Sequence, residues 1–308
     1  MMIRKYALVA TGELLADLIG TEFTDSLFDT ELFRRLQGGS PANLAANMAR
    51  LGNATALVAC VGQDNLGKFL VAKVAETGVD TQYIQQNDVK PSSIVLVSRT
   101  KGTPDFIAYR AADCQIQCSY FPDDLLKNTS FFHTTCFALS QSPARESILE
   151  AASRAVGFGA IVSLDANYAP SLWPDRLEAL EVVKNYCQRQ AFVKLSEDDA
   201  ERLLGEIKPP QEIIDTFHDM GAKLVCLTLG GKGSIVSADG EQITCPVKPI
   251  EIKDATGAGD AFWAGFLTAW LDQKSLGECA QAGANMAALK ISTVGGLPPK
   301  IEKIAIYV

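Results

Sequence analysis

The feature that most constrains the fold is a repeated alternation of short apolar runs with helical segments. Runs typical of strands lie at residues 5–11, 54–62, 160–167, 191–196, 224–230 and 233–239. Helical patterns cover residues 40–52, 66–78, 196–205 and 210–221. Fully apolar strands suit a sheet that is buried on both faces, and alternation with helices favours parallel pairing. The sequence therefore predicts an α/β fold with a doubly wound, mainly parallel sheet.

Two segments interrupt this alternation. Residues 92–112 indicate two strands joined by a Lys-Gly-Thr-Pro turn, which predicts a hairpin without an intervening helix. Residues 23–37 are a second insertion, ahead of the first predicted helix. We expect a single domain over residues 1–308, in which inserted segments at about 13–37 and 91–118 form a small β lid.

Composition narrows the function. The chain has 308 residues and a net charge of -8, so it lacks the basic surface that nucleic acid or an anionic membrane requires. We expect neither as a partner. Its eight cysteines lie mostly in apolar runs, which favours buried, reduced thiols in a cytoplasmic protein. Glu13 and Asp17 interrupt the apolar run near the N-terminus, which predicts a first strand and not a signal peptide.

The stretch Gly257-Ala258-Gly259-Asp260 directly precedes a strongly apolar helical segment. Successive amide groups at a helix start, without bulky side chains, form a concave anion site. Asp260 is then either a helix cap or a base beside that anion, and the four residues alone leave the two interpretations about even. The carboxylate of Asp254 and the hydroxyl group of Thr256 favour a functional site.

Two further clusters are consistent with a small polar ligand. Gly38 and Gly39 precede a predicted helix start at Ser40 and would let the backbone approach a ligand to which Asn43 donates hydrogen bonds. A simple loop-to-helix junction is the alternative. The carboxylate of Asp17 lies in apolar surroundings and would need partners such as sugar hydroxyl groups, unless it is a solvated loop acid.

Two glycine-containing segments do not support other nucleotide folds. Residues 62–68 match the spacing of a P-loop, but Phe69 follows where the magnesium ligand Ser or Thr is required. Residues 230–234 lack the third glycine of a dinucleotide-binding fingerprint.

Together, these motifs resemble those of the ribokinase-like (PfkB) family of carbohydrate kinases. The stretch GGSPANLAANMARLG followed by VGQDNLGKFL resembles the first family signature, and DATGAGDAFWAGF resembles the second. The resemblance implies ATP-dependent phosphorylation of a hydroxymethyl group, with the fructokinase branch nearest. A 2-keto-3-deoxygluconate kinase, another sugar kinase or a nucleoside kinase are alternatives. A non-catalytic sugar-binding regulator is the alternative from a different class.

The resemblance also implies roles for individual residues. Asp260 would be the catalytic base, and the amides of Gly257, Ala258 and Gly259 would form the anion hole. The implied sugar-binding residues are Asp17, Gly38, Gly39, Asn43, Asp165, Asp260 and, from the lid, Arg110. The implied ATP-binding residues are Lys194, Ser196, Thr228, Gly230, Gly233, Gly257, Gly259 and Asn285.

Metal sites follow from the same resemblance. The family's Asn-x-x-Glu element corresponds here to Ser196 through Asp199, so Glu197 and Asp199 would hold Mg²⁺ through water. These acids would also stabilise a helix N-terminus without any metal. Asp254 and Thr256 are the candidates for a monovalent cation, with K⁺ as the candidate ion.

Two expectations concern specificity and assembly. Fructokinase-like members carry an arginine where this chain has Ala169. The loss of this fixed cation argues against fructose and against any acidic sugar as the substrate. The exposed edge of the predicted hairpin could pair with a second copy, so we expect a homodimer formed through the lid.

Overall fold

The structure is a computed structural model that describes residues 4–24, 26–100, 105–247, 250–251, 253, 256–293 and 297–308. The described strands are β1 (Tyr6–Thr11), β2 (Leu15–Phe23), β3 (Phe33–Gly38), β4 (Thr55–Gly62), β5 (Ile84–Asn87), β6 (Ile94–Arg99), β7 (Phe106–Tyr109), β8 (Thr129–Thr135), β9 (Ile161–Asp165), β10 (Phe192–Ser196), β11 (Leu224–Thr228), β12 (Ser234–Ala238) and β13 (Glu241–Cys245). The described helices are α1 (Ser40–Arg50), α2 (Asn65–Ala75), α3 (Asp123–Lys127), α4 (Ala144–Gly157), α5 (Arg176–Cys187), α6 (Glu197–Leu204), α7 (Pro210–Asp219), α8 (Ala258–Leu271) and α9 (Leu276–Ile291).

The main sheet has nine described strands in the order β13-β12-β11-β10-β9-β8-β1-β4-β5. Pairing is parallel from β5 through β11 and antiparallel only at β12 and β13. One apolar cluster covers one face through α4, α5 and α7, and a second covers the other face through α1, α8 and α9. The predicted doubly wound, mainly parallel α/β fold is therefore confirmed.

A second sheet has the strand order β3-β2-β6-β7. Its strands come from the two segments that the sequence marked as insertions. β6 and β7 pair antiparallel, as predicted, while the predicted Lys-Gly-Thr-Pro turn at 101–104 lies outside the described residues. The sequence did not predict β2, which pairs antiparallel with β3 and parallel with β6. Because β2 follows β1 after only three residues, this sheet begins at the carboxyl edge of the main sheet.

The helix α8 is almost entirely internal, since most of its side chains from Ala261 to Ala269 are buried. Trp263 lies on the sheet and donates a hydrogen bond from Nε1 to the hydroxyl oxygen of Ser163, 2.9 Å away. The burial of the apolar side chains after Asp260 thus fixes the position of α8. It also fixes the stretch from Gly257 to Asp260 at its start, which we call the GAGD turn. No helix among the described residues has the length and apolar character needed to cross a bilayer.

Candidate active site

The predicted residues converge where the strand order reverses. The chain runs from β1 outward to β4 and β5, then returns to place β8 on the other side of β1. In open α/β sheets, ligands bind at the carboxyl ends of the strands beside such a switch point. The N-termini of α1 and α8 both reach this place, and the two helices pack against each other.

Asp260 lies in the first turn of α8 and is only 9% exposed. Its Oδ1 accepts a hydrogen bond from Ser40 Oγ at 2.6 Å, and its Oδ2 accepts one from Asn43 Nδ2 at 2.9 Å. Burial raises the pKa of Asp260, while the bond from Ser40, the charge of Lys194 and the bond from Asn43 lower it in part. The carboxylate is therefore held by both oxygens in one orientation.

Glu13 is hydrogen-bonded to the backbone of Ser40, whose side chain contacts Asp260. Its Oε1 accepts a hydrogen bond from the backbone amide of Ser40 at 3.2 Å, and its Oε2 accepts one from Thr135 Oγ1 at 2.9 Å. Burial raises the pKa of Glu13 to about 8. Sequence reasoning gave Glu13 no role, although a carboxylate inside an apolar run was an available signal.

Gly38 is the last residue of β3 and pairs with Leu15 at the start of β2, and Gly39 directly precedes α1. A Cβ atom on Gly38 would lie 2.2 Å from Oδ2 of Asp17, so only glycine leaves room for that carboxylate. Gly39 has φ of +102°, and a Cβ atom there would lie 2.2 Å from the carbonyl oxygen of Glu13. Burial and the nearby charge of Asp260 raise the pKa of Asp17 to about 7. The structure thus brings Asp17, both glycines and Asp260 together.

Lys194 lies beneath the GAGD turn. A Cβ atom on Gly259 would lie 2.7 Å from the Lys194 ammonium nitrogen, so this glycine permits the close approach. The ammonium also donates to Oδ2 of Asp165 at 2.9 Å in a buried ion pair. Burial disfavours the charged ammonium, but the surrounding carboxylates, Asp165 first among them, raise the pKa of Lys194 above its ordinary value. A cation therefore lies next to the predicted anion hole.

Asp165 and Arg110 have positions other than the expected ones. Asp165 is 3% exposed and holds Lys194, so its carboxylate lies under the site and not in the sugar cleft. Arg110 follows β7 but turns inward. Its guanidinium pairs with Asp113 at 2.6 Å with both side chains buried, and it donates to the carbonyl oxygen of Phe137 at 2.8 Å. The contact of Arg110 with the sugar stays a prediction, and the head group would have to leave these buried partners to make it.

The residues predicted for ATP lie at the ends of β10 and β11 and on α9. Thr228 ends β11 and donates to the carbonyl oxygen of Leu195 at 3.3 Å. Gly230 begins the turn that leads to β12, and Gly233 ends it with φ of +103°. Asn285 donates from Nδ2 to the carbonyl oxygens of Ile306 and Val308, at 3.1 and 2.9 Å. Its amide therefore binds the C-terminal segment in this arrangement.

The acids at the start of α6 have protein partners. Ser196 is the helix cap, and Asp199 completes a capping box with it while also pairing with Arg202 at 3.1 Å. Glu197 lies 3.7 Å from the Lys232 ammonium and is 36% exposed at its side chain. The capping interpretation therefore describes Asp199 correctly, whereas Glu197 has room for a water-mediated contact. Thr256 lines the cleft beside Gly257, and Asp254 lies outside the described residues.

Ala169 stands at the position where fructokinase-like members carry an arginine. Ala169 packs against the apolar cluster on the α4 face of the sheet. Its neighbour Asn167 accepts a hydrogen bond from the backbone amide of Phe137 at 3.1 Å. This segment therefore contributes no cation at Ala169.

A family model described as "pfkB family carbohydrate kinase" matches residues 6–303. The chain belongs to the pfkB family. A family relative from Thermoanaerobacterium thermosaccharolyticum, named ATP-dependent 6-phosphofructokinase, is 36% identical over 98% of this chain and 93% of its own length. ATP-dependent phosphorylation of a sugar, expected from the signatures, is thus confirmed as the activity of the family to which this chain belongs.

Two solved structures of fructokinases share the pfkB fold of this chain. The Halothermothrix orenii fructokinase is 34% identical and has a TM-score of 0.81, with coverage of 94% of this chain and 99% of that chain. The Vibrio cholerae fructokinase, solved with fructose, ADP and a calcium ion bound, is 27% identical and has a TM-score of 0.86, with 97% of each chain covered.

Proposed function

We propose that this pfkB kinase transfers the γ-phosphoryl group of ATP to a hydroxymethyl group of a small sugar, with fructose the first candidate. The observation that carries the proposal is the geometry of Asp260. Its carboxylate lies at the N-terminus of α8 with both oxygens held, by Ser40 and Asn43. A second carboxylate, Asp17, lies close enough for its charge to interact with that of Asp260.

The chemistry assigned to Asp260 is general-base catalysis. Its carboxylate takes the proton of the sugar hydroxyl group as that oxygen forms a bond to the γ-phosphorus, and the bond from phosphorus to the β-phosphate oxygen breaks to release ADP. Such a transfer depends on in-line positioning and on charge stabilisation. Asn43 and Ser40 keep the carboxylate oriented, and Asp17 accepts hydrogen bonds from other hydroxyl groups of the sugar.

The negative charge of the phosphoryl group would be stabilised from two sides. The amides of Gly257, Ala258, Gly259 and Asp260 start a helix, whose N-terminal end favours an anion. The Lys194 ammonium adds a fixed positive charge directly beneath Gly259. When bound, Mg²⁺ would neutralise part of the charge on the phosphates, and Glu197 is the carboxylate placed to hold it through water.

The adenosine of ATP is assigned to the edge formed by Ser196, Thr228, Gly230 and Gly233. This assignment rests on their common position, at the carboxyl ends of β10 and β11 and in the turn that follows β11. Asn285 can join them only if it releases the C-terminal carbonyl groups that it binds now. Thr256 and Asp254 remain the proposed ligands of a monovalent cation.

Fructose is the first candidate because two similar solved structures are fructokinases. The relative named 6-phosphofructokinase shows that family membership alone leaves the charge of the sugar open. A 2-keto-3-deoxygluconate kinase or a nucleoside kinase are the alternatives within the family. A non-catalytic sugar-binding regulator would bind sugar without releasing ADP.

We further propose that the second sheet is a lid and that it forms the contact between two copies of the chain. Its strands contribute Asp17 and Gln37 to the cleft, so it borders the sugar site. Its other surfaces expose large apolar side chains, among them Phe23, Phe28, Leu32 and Tyr109, which are 56% to 96% exposed. Exposed apolar patches of this kind mark association surfaces. Light scattering tests the homodimer, and a monomer at working concentration contradicts it.

A cytoplasmic location is proposed from the cysteines, since all eight are free thiols and seven are buried. Free thiols persist in reducing compartments.

The enzymatic proposal is tested by measuring ADP release with a panel of sugars and nucleosides. Turnover with at least one sugar supports the proposal. Sugar binding without any turnover contradicts it and favours the regulator.

A further inference from the structure

Gln37 is the next-to-last residue of β3, an edge strand of the second sheet. Its side chain lines a cleft of about 300 Å³ together with Asp17 and Asn43. Its backbone pairs with Ala16, the residue before Asp17 on β2. Gln37 therefore lies on the second sheet where that sheet faces the site, directly before the glycine pair of the first signature.

The side-chain amide of Gln37 donates two hydrogen bonds. Its Nε2 lies 3.2 Å from Oδ1 of Asn43 and 3.0 Å from the carbonyl oxygen of Gly38. An amide nitrogen carries two hydrogens, so these contacts use the full donor capacity of the side chain. The bond to Gly38 holds the amide on its own strand, while the bond to Asn43 reaches across to α1.

The bond from Gln37 determines which end of the Asn43 amide faces Asp260. Because Oδ1 of Asn43 accepts from Gln37, its Nδ2 faces the other way and donates to Oδ2 of Asp260 at 2.9 Å. A reversed Asn43 amide would set two donors against each other at Gln37 and two acceptors against each other at Asp260. The hydrogen bonds therefore run in one direction, from the second sheet to the carboxylate.

The charges near Asp260 do not belong to Gln37. Among the described residues, the ionisable groups whose charges interact with Asp260 lie on β2, β9, β10 and α9, and they are Asp17, Asp165, Lys194 and Lys290. The charged residues Arg50, Lys73 and Glu76, from α1 and α2 and its end, line the same cleft. Gln37 is neutral, so a neutral substitution removes its hydrogen bonds and leaves these charges in place.

We propose that Gln37 is a positioning residue for phosphoryl transfer, which fixes the amide of Asn43 from the second sheet and thereby holds the Asp260 carboxylate in its orientation. This inference rests on the proposed role of Asp260 as the base. A donor to a carboxylate stabilises its charged form, so loss of this hydrogen-bond chain raises the pKa of Asp260. The second sheet and the base are thus joined through Gln37 and Asn43.

The test is a double-mutant cycle of Gln37→Met and Asn43→Ala, measured as the pH dependence of kcat/KM for the best acceptor of the sugar panel. Methionine keeps the length of the side chain and removes its donors. Gln37→Met should lower kcat/KM about 2- to 10-fold, the usual effect of losing one neutral hydrogen bond, and move the acidic limb to higher pH. In the Asn43→Ala background it should change neither, because its target is gone.

A second measurement does not depend on turnover. Protein labelled with ¹³C at the aspartate carboxyl carbons is titrated by NMR without ATP or sugar, and Asp260→Asn identifies the resonance of Asp260. Gln37→Met should move the titration of Asp260 to higher pH when Asn43 is present and leave it unchanged in Asn43→Ala.

Two further variants separate the hydrogen bond from packing. Gln85→Met replaces a half-buried glutamine on β5, an edge strand of the main sheet, and should change neither kcat/KM nor the titration. Gln37→Glu keeps the shape of the side chain but has no donor for Asn43. Its effect on the titration should be larger with Asn43 than without it, which decides the matter even if Gln37→Met does not fold.

Equal effects of the Gln37 variants with and without Asn43 would overturn the inference, because Gln37 would then act by packing. An unchanged acidic limb and titration in Gln37→Met would overturn it as well, while Asp260 could still be the base. The proposed function fails separately, if no acceptor gives ADP release or if Asp260→Asn keeps its turnover. In that case the NMR titration still shows whether Gln37 acts on Asp260 through Asn43.

Discussion

Asn43 donates a hydrogen bond from Nδ2 to Oδ2 of Asp260 over 2.9 Å, although 217 residues separate them in the chain. The bond joins the first turns of α1 and α8, which are the two helix starts that carry the family signatures. Each signature alone is compatible with a simple capped helix. Their direct contact is what makes the carboxylate an oriented base.

Removal of this contact should change the pH dependence of the reaction. The hydrogen bonds from Asn43 and Ser40 both lower the pKa of Asp260, because they stabilise its charged form. Asn43→Ala should therefore raise that pKa further and move the acidic limb of the kcat/KM profile to higher pH. Ser292→Ala, at an exposed site at the end of α9, is the control. An unchanged acidic limb in Asn43→Ala would show that the bond does not tune Asp260.

Asp17 should make the protein less stable as the pH rises. Its pKa is about 7 in the folded protein, above the ordinary value of 3.8, so the folded state holds a proton that the unfolded state has lost. Stability therefore falls between these two values and is constant above them. Asp17→Asn should raise Tm little near pH 4, increasingly toward pH 7, and by a constant amount at higher pH. A Tm difference that is independent of pH would contradict this account.

Gly259→Ala should disrupt the cation beneath the anion hole. The new Cβ atom would lie 2.7 Å from the Lys194 ammonium and would push it away from its place next to the turn. We expect kcat to fall by about 10- to 100-fold, since a fixed charge for the phosphoryl group is displaced. Gly157→Ala, in open space on α4, is the matched control and should leave kcat unchanged. Equal kcat values for both variants would argue against the role of Lys194.

Arg110 should matter for stability and not for sugar affinity. Its ion pair with Asp113 is fully buried, and loss of one partner from such a pair costs about 3–5 kcal/mol of unfolding free energy. Arg110→Met should show this loss in denaturant unfolding while the KM for the sugar changes little. The opposite result, a normal unfolding free energy with a large rise in KM, would restore the predicted sugar contact from the lid.

The fold could be predicted because its signals are local. The apolar runs of β4, β10 and β11 and the amphipathic pattern of α1 determine their own secondary structure and burial. By contrast, β2 was not predicted, since its pairing with β6 depends on a partner more than seventy residues away.

The site residues divide in the same way. Gly38, Gly39, Asn43 and Asp260 belong to contiguous motifs, and the structure brings them together. Asp165 and Arg110 were placed in the sugar site from sequence, but their charges are used by Lys194 and Asp113. Strand register and chain direction determine which buried charges form a pair, and the sequence shows neither of them.

The most direct test of the account is the turnover of Asp260→Asn, measured as ADP release with the best sugar acceptor, together with sugar affinity by calorimetry. Asparagine keeps the size of the side chain and can still accept the hydrogen bond from Asn43, but it cannot take a proton. The account predicts that kcat falls by about 10²- to 10⁴-fold while sugar affinity changes little. A variant that binds the sugar and retains most of the wild-type kcat would contradict the assignment of Asp260 as the base.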